Sequence, residues 1–311
     1  MKLFYQSLFL LSLFLFVMAC KKEEDEPIIN TETYEVAPNL TNGDYGSGET
    51  PHLVMRHANV NSDRLILFLG GTWSKPDNYQ EICDYIRSAG YHVISLAYPN
   101  NVPAAPLGDS ENPEVYSQYR QEICYGTPIS LDVTVDSLNS IDQRFPNLIS
   151  YLAETKPEEG WSNYVSAGEP IWSKITVAGH SQGSGHAGYI AKQVAVDRVV
   201  MFAGPNDFQT SSSSPGDWLA DGSATALSDY YAFLHAEDDV ASYANQVENL
   251  RAMNVLGIDD TTIQIESQSG PNFGGYNSYH TNLEVISEHS SVANSKWHMS
   301  SFWNYLFDLL N

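Results

Sequence analysis

Ser181 stands at the centre of GHSQG, inside the run ITVAGHSQGSGHAGYIA at residues 175–191. A serine hydroxyl becomes a nucleophile when a base takes its proton and fixed donors hold the oxyanion that its attack creates. In G-x-S-x-G the glycines let the serine occupy a sharp turn between a strand and a helix. Five letters also occur by chance, as a glycine-rich turn without chemistry, so the context decides. KITVAG, at residues 174–179, reads as a strand, and the residues after Ser181 read as a helix. Such a helix aims its free N–H groups and the positive end of its dipole at the reaction centre.

Acyl transfer needs two oxyanion donors. One expected donor is the backbone N–H of Gln182, directly after the serine. The other is the N–H of Thr72, in the strand-end loop LFLGGTW at residues 67–73, where Gly70 and Gly71 permit close backbone approach. Trp73 either walls the site or packs. The acid is expected beyond a downstream strand, and YAFLHAEDDV at residues 231–240 offers Glu237, Asp238 and Asp239. Asp238 is the first choice and Asp239 the alternative; His235, at the strand end, reads as structural. The base is expected before the last helix, where His280, His289 and His298 stand. His289 is chosen, because the loop around it is long enough to reach over the sheet edge. His298, one turn before an apolar helix, is the alternative, and His280 reads as a packing residue. The histidine would take the Ser181 proton and pass it to the leaving group, while the aspartate holds its tautomer.

Alternating elements must position these groups. RLILFLGG (64–71) and YHVISLAYP (91–99) read as buried strands, with a helix between them carrying Tyr79, Ile82, Cys83 and Ile86 and stopping at Gly90. After a polar stretch, Val135 to Leu152 keeps helical spacing, with Pro146 expected to kink it. Further strands are read at 197–204, 230–237, 261–267 and 281–287, with helices at 242–256 and 302–310 and a serine-rich loop at 206–229. Strands separated by helices imply an α/β fold, doubly wound, with a mainly parallel sheet and helices on both faces. Working residues then lie at the strand carboxyl ends.

The chain of 311 residues opens with Lys2 and an apolar run ending VMAC, with Cys20 last. That is the pattern of a secretory signal, and it resembles the lipobox of bacterial lipoproteins, in which Cys20 would be lipidated. An uncleaved membrane anchor is the plain alternative. Residues 1–19 are thus read as signal, 20–50 as a polar tether and 51–311 as one catalytic domain. The acidic EEDE after Cys20 looks like a surface-export tag or a solvated charge run; the expected location is the outer membrane, facing outward. Formal net charge is −23, and −24 once Lys2 is removed with the signal. That argues against nucleic acid and anionic lipid as partners, leaving the lipid anchor as the only membrane contact. Cys83 and Cys124 form one disulfide or remain two buried thiols. No C-x-x-C or H-E-x-x-H occurs, so no metal site is signalled.

With these residues in place, the chain from Arg64 onward resembles the α/β-hydrolase superfamily. The GG loop, GHSQG elbow, HAEDD turn and late histidine stand in that family's order. The segment WSKITVAGHSQGSGHA, with GWSNY before it and RVVMFAGPND after it, looks like a branch of secreted serine esterases. Gly70 departs from the family's pattern, which commonly has histidine there. The resemblance implies hydrolysis of an ester or related bond without a cofactor, with His186 packing or hydrogen-bonding under the elbow. The expected activity is a carboxylesterase on a small-molecule or polymer-borne ester. A lipase or peptidase with the same triad, or a surface binding protein without turnover, are the other readings.

Overall fold

LILFL, at Leu65–Leu69, is apolar at every position because the strand it forms is covered on both faces. The computed structural model describes residues 32–57, 63–256, 262–265, 277–281, 287–294 and 296–309. The strands are β1 (Glu32–Val36), β2 (His52–Arg56), β3 (Leu65–Leu69), β4 (His92–Leu96), β5 (Val165–Ser166), β6 (Glu169–Pro170) and β7 (Ile175–His180). They continue with β8 (Arg198–Phe202), β9 (Phe208–Gln209), β10 (Ser214–Pro215), β11 (Tyr230–His235), β12 (Ile263–Ile265) and β13 (Ser278–Thr281). The helices are α1 (Pro38–Thr41), α2 (Gln80–Ser88), α3 (Val115–Tyr125), α4 (Ile141–Thr155), α5 (Gln182–Gln193), α6 (Tyr243–Ala252), α7 (Glu288–Asn294) and α8 (Lys296–Phe307).

The main sheet runs β1-β2-β4-β3-β7-β8-β11-β13-β12. Pairing is antiparallel for β1 with β2 and β2 with β4, and parallel from β4 onward. Alternate residues feed two cores. Leu65, Leu67, Leu69, Val177 and Met201 join residues of α3, α4, α5 and α6 on one face. Ile66, Phe68, Ala178, Val200 and Phe233 join α2, α7 and α8 on the other. Each fully buried aliphatic or phenyl side chain contributes about 1.5–3 kcal/mol, so both layers stabilise the sheet. This is the doubly wound, mainly parallel α/β architecture expected from the strand–helix alternation.

Several local expectations change. The domain begins at or before Glu32, since β1 pairs with β2 and α1 follows within the stretch read as tether; residues 20–31 lie outside the described residues. The polar stretch after β4 contains α3, which ends at Gly126 in a left-handed conformation. α4 continues through Pro146, which lacks the N–H that Asp142 O would accept. The serine-rich loop carries the β9–β10 hairpin. His289 belongs to a helix, α7, rather than a loop; of the strand read at 281–287, only Thr281 falls in β13, and 282–286 lie outside the described residues. Cys83 and Cys124 are both free, because they are buried in cores on opposite faces of the sheet.

Candidate active site

β7 carries the chain to Ser181, and α5 starts one residue later. Ser181 has φ 54° and ψ −117°, a strained conformation for a residue with a side chain. Two close approaches impose the flanking glycines. A Cβ on Gly179 would lie 2.1 Å from the Gly183 carbonyl oxygen, and one on Gly183 would lie 2.0 Å from the Leu69 carbonyl oxygen. The Ser181 N–H is held by the Phe202 carbonyl at 2.9 Å, so the turn is tied to the end of β8.

The loop after β3 approaches from the other side. The Gly71 carbonyl accepts from the Asn100 side-chain amide at 2.7 Å and from the Ser74 hydroxyl at 2.7 Å. The trans peptide that follows therefore points the Thr72 N–H the opposite way. The N–H groups on either side are committed, that of Gly71 to the Tyr79 hydroxyl at 2.8 Å and that of Trp73 to the Asn100 carbonyl at 3.0 Å. The Thr72 N–H has no acceptor among the described residues. Gln182 is the first residue of α5, where an N–H has no carbonyl one turn back. The Thr72 hydroxyl donates to the Gln182 side-chain oxygen at 2.6 Å, which joins the two donor residues.

β11 ends in the turn that carries Asp238 and Asp239, and α7 carries His289. Both Asp238 carboxylate oxygens accept from His289 Nδ1, at 2.9 and 2.8 Å, and the two side chains are 0% and 7% exposed. A carboxylate can only accept, so Nδ1 carries a proton, and in the neutral ring the Nε2 lone pair is left for another partner. Asp238 Oδ1 also accepts from the N–H groups of Val240 and Ala241, and Oδ2 from the Gln246 amide. Burial alone would raise the Asp238 carboxyl, but the His289 bond and charge and these further donors outweigh it and hold it below the ordinary value. Asp239 serves differently: its Oδ1 accepts the backbone N–H of His289 at 3.0 Å.

Two buried networks fix this frame. In the first, the Gly71 N–H donates to Tyr79 Oη, which donates to His180 Nδ1 at 3.0 Å. His180 Nε2 then donates to the His289 carbonyl at 2.9 Å. Burial, then the charge of His289, brings His180 down to about 4, so it is neutral at pH 7 with its proton on Nε2. In the second, the Gln182 amide donates to His186 Nε2 at 3.4 Å, and His186 Nδ1 faces Cys124 Sγ at 3.5 Å. Beneath the elbow, Arg120 and Asp207 form a fully buried ion pair, and Arg120 Nη1 donates to the Gln182 carbonyl at 2.7 Å.

Ser181, Thr72, Gln182 and His289 all line one cavity of about 660 Å³. The structure thus brings together Ser181, the two expected donors, and the Asp238–His289 pair. The Ser181 hydroxyl makes no hydrogen bond among the described residues. His280 bonds Thr262 at 2.8 Å, and His235 Nδ1 accepts the Glu237 N–H at 3.1 Å. His298 falls on α8 and its side chain lies outside the described residues, as does Cys20. Sequence reasoning missed His180, Tyr79, Asp239's backbone bond and the Arg120–Asp207 pair. Only His180 carried a signal, as the variable letter beside the serine.

No protein-family model matches the chain, and no curated protein matches it by sequence. Among solved structures it is similar in shape to a cold-adapted esterase from an Arctic intertidal metagenomic library, in a complex with PEG. The TM-score is 0.44 at 15% identity, covering 94% of this chain and 98% of that one. The native structure under the same description gives 0.42 at 12% identity, covering 90% and 94%. Chemistry is a property of the site's side chains rather than of a likeness of this degree.

Proposed function

We propose that the chain is a serine hydrolase that cleaves a carboxylic ester through an acyl-enzyme on Ser181. The observation that carries the reading is the buried Asp238–His289 pair, its Nε2 lone pair free, on the wall of the cavity that Ser181 also lines. His289 Nε2 takes the Ser181 proton as Oγ bonds to the ester carbonyl carbon. The carbonyl oxygen, now an anion, receives hydrogen bonds from the Thr72 and Gln182 N–H groups. The C–O bond to the alcohol breaks, and Nε2–H gives its proton to the departing oxygen. Water then attacks the acyl carbon as Nε2 takes its proton, the bond to Ser181 Oγ breaks, and Nε2–H returns the proton to Oγ as the acid leaves. Asp238 stabilises the imidazolium formed in each half.

The test is labelling with a fluorophosphonate and turnover of p-nitrophenyl acetate, by wild type and Ser181→Ala. Wild type should label and turn over, and the variant should do neither. Labelling that persists in the variant removes Ser181 from the role, and an inert wild type removes the hydrolase reading.

A further inference from the structure

Gln182 is held at each of its polar groups but one. Its carbonyl accepts from Arg120 Nη1 at 2.7 Å. Its side-chain oxygen accepts from the Thr72 hydroxyl at 2.6 Å, and its side-chain amide donates to His186 at 3.4 Å. On its other side, the Ser181 carbonyl accepts from the Ser184 N–H at 3.0 Å and from the Ser184 hydroxyl at 2.5 Å. The planar peptide that carries the Gln182 N–H is thus fixed by bonds on both sides of the Gln182 Cα. That N–H alone has no acceptor among the described residues.

The bond from Arg120 is the charged one in this set. Arg120, on α3, is fully buried, and so is its partner Asp207. Arg120 Nε donates to Asp207 Oδ2 at 2.9 Å and Nη2 donates to Oδ1, which leaves Nη1 for the Gln182 carbonyl. Asp207 Oδ2 is fixed in turn by the Trp218 indole N–H at 2.7 Å. The guanidinium is planar, so its fork with Asp207 dictates where Nη1 points. α5 makes room for it at Gly185, where a Cβ would lie 2.2 Å from Arg120 Nη2. A glycine inside a helix is destabilising relative to alanine. Replacing a buried ion pair by well-packed apolar side chains is often neutral or stabilising. Stability therefore explains neither choice, and both serve one contact, the guanidinium on the Gln182 carbonyl. We infer that Arg120 is a positioning residue for the reaction, fixing through that carbonyl the N–H that receives the oxyanion, with Asp207 and Gly185 aiming it. This rests on the hydrolase reading above and adds a residue to its machinery.

Two variants act on this contact from different sides. Gly185→Ala keeps every charge and favours the helix, but its Cβ takes the place of Nη2 and pushes the guanidinium off the carbonyl. Arg120→Met/Asp207→Asn removes both charges together, leaves neither buried alone, and keeps an acceptor for Trp218. Rates on p-nitrophenyl acetate are taken per active site, counted by fluorophosphonate labelling run to completion, with urea unfolding of the same preparations. Removing one oxyanion donor costs about 10²–10³ in kcat, and displacing one should cost about tenfold or more. KM should stay within about twofold and the pH dependence of kcat/KM should not move, because the donor acts on the transition state. A kcat within about threefold of wild type overturns the inference, whatever happens to stability. So does a loss that comes with a shifted pH profile, which would place the effect on His289. Where either variant fails to fold, Arg120→Lys decides by the same criteria, since it keeps the charge beside Asp207 without the fork that reaches Gln182. An inert wild type overturns the hydrolase reading and this inference together, whereas an active wild type with unaffected variants overturns this inference alone.

Discussion

Two adjacent aspartates meet the same histidine, and substituting each to asparagine separates their roles. In Asp238→Asn, the amide oxygen is retained where the Val240 and Ala241 N–H groups donate to Oδ1. The amide nitrogen then replaces Oδ2 and faces two other nitrogens, Gln246 Nε2 and His289 Nδ1. His289 answers by accepting at Nδ1, which moves its proton to Nε2 and blocks uptake of the serine proton. The imidazolium also loses its counter-charge. At 2.8 Å and an effective dielectric of about 20, that attraction is on the order of 6 kcal/mol. The expected loss in kcat is about 10⁴-fold, or about 5 kcal/mol, the size seen when a triad aspartate becomes asparagine. Asp239→Asn keeps an oxygen for the His289 N–H and removes only an exposed charge. Its loss should stay within about threefold, and Asp239→Ala, which forfeits a bond of about 1 kcal/mol, should lose about fivefold. Initial rates on p-nitrophenyl acetate, with circular dichroism to verify folding, measure all three. Asp238→Asn retaining more than a tenth of kcat, or Asp239→Asn falling as far as Asp238→Asn, refutes this division of labour.

Other predictions follow from the buried groups. His180 sits at about 4 in the fold but takes a proton near 6.5 when unfolded, so the unfolded chain binds more protons between those values. Stability should therefore fall as the pH is lowered through that window, His180 alone accounting for a loss of about 2 kcal/mol from pH 7 to pH 5. Urea unfolding at both pH values should show a shallower drop for His180→Asn. Arg120→Met leaves the fully buried Asp207 carboxylate unpaired and should cost about 3–5 kcal/mol by the same assay, since its partner's charge has no other cation within the pair. Gly183→Ala, whose Cβ would meet the Leu69 carbonyl oxygen at 2.0 Å, should destroy activity on p-nitrophenyl acetate, while Gly43→Ala, with open space around it, should be silent. If Cys20 is lipidated, radiolabelled palmitate will be incorporated in a lipoprotein-competent bacterial host and lost in Cys20→Ala.

What was legible in the sequence is what short-range patterns encode. β3, β4, β7, β8 and β11 are buried on both faces or nearly so, and hence read as apolar runs. The elbow was legible because its two glycines answer to close backbone contacts within a few residues of the serine and with β3 next to it. β1 and α3 were hidden for opposite reasons. β1, ETYEV, is an edge strand with polar residues on its open side. α3, VYSQYRQEICY, buries Arg120 and Glu122 along with its apolar residues, so its inward face does not look apolar. Arg120 faces inward because Asp207, 87 residues later, meets it, and no local window contains that pair.

The choice between Asp238 and Asp239 was illegible for a similar reason. Successive residues of a turn point in different directions, and which one reaches α7 depends on where α7 lies. The structure assigns the two carboxylates to the two ends of one residue, the Asp238 oxygens to the His289 ring and the Asp239 oxygen to its backbone N–H. The His289 carbonyl is taken by His180, whose other nitrogen leads through Tyr79 to the Gly71 N–H. His289 is thus bonded at ring, N–H and carbonyl, and the relay from its carbonyl ends on the peptide unit next to the Thr72 N–H. Thr72 is joined in turn to Gln182 through its hydroxyl. His289, Thr72, Gln182 and the turn at Ser181 share one hydrogen-bonded frame across the ends of β3, β7 and β11. Hydrogen bonds so linked tie the positions of these strand ends to one another. Chemistry that tolerates errors of only about 0.5 Å between nucleophile, base and donors needs that coupling.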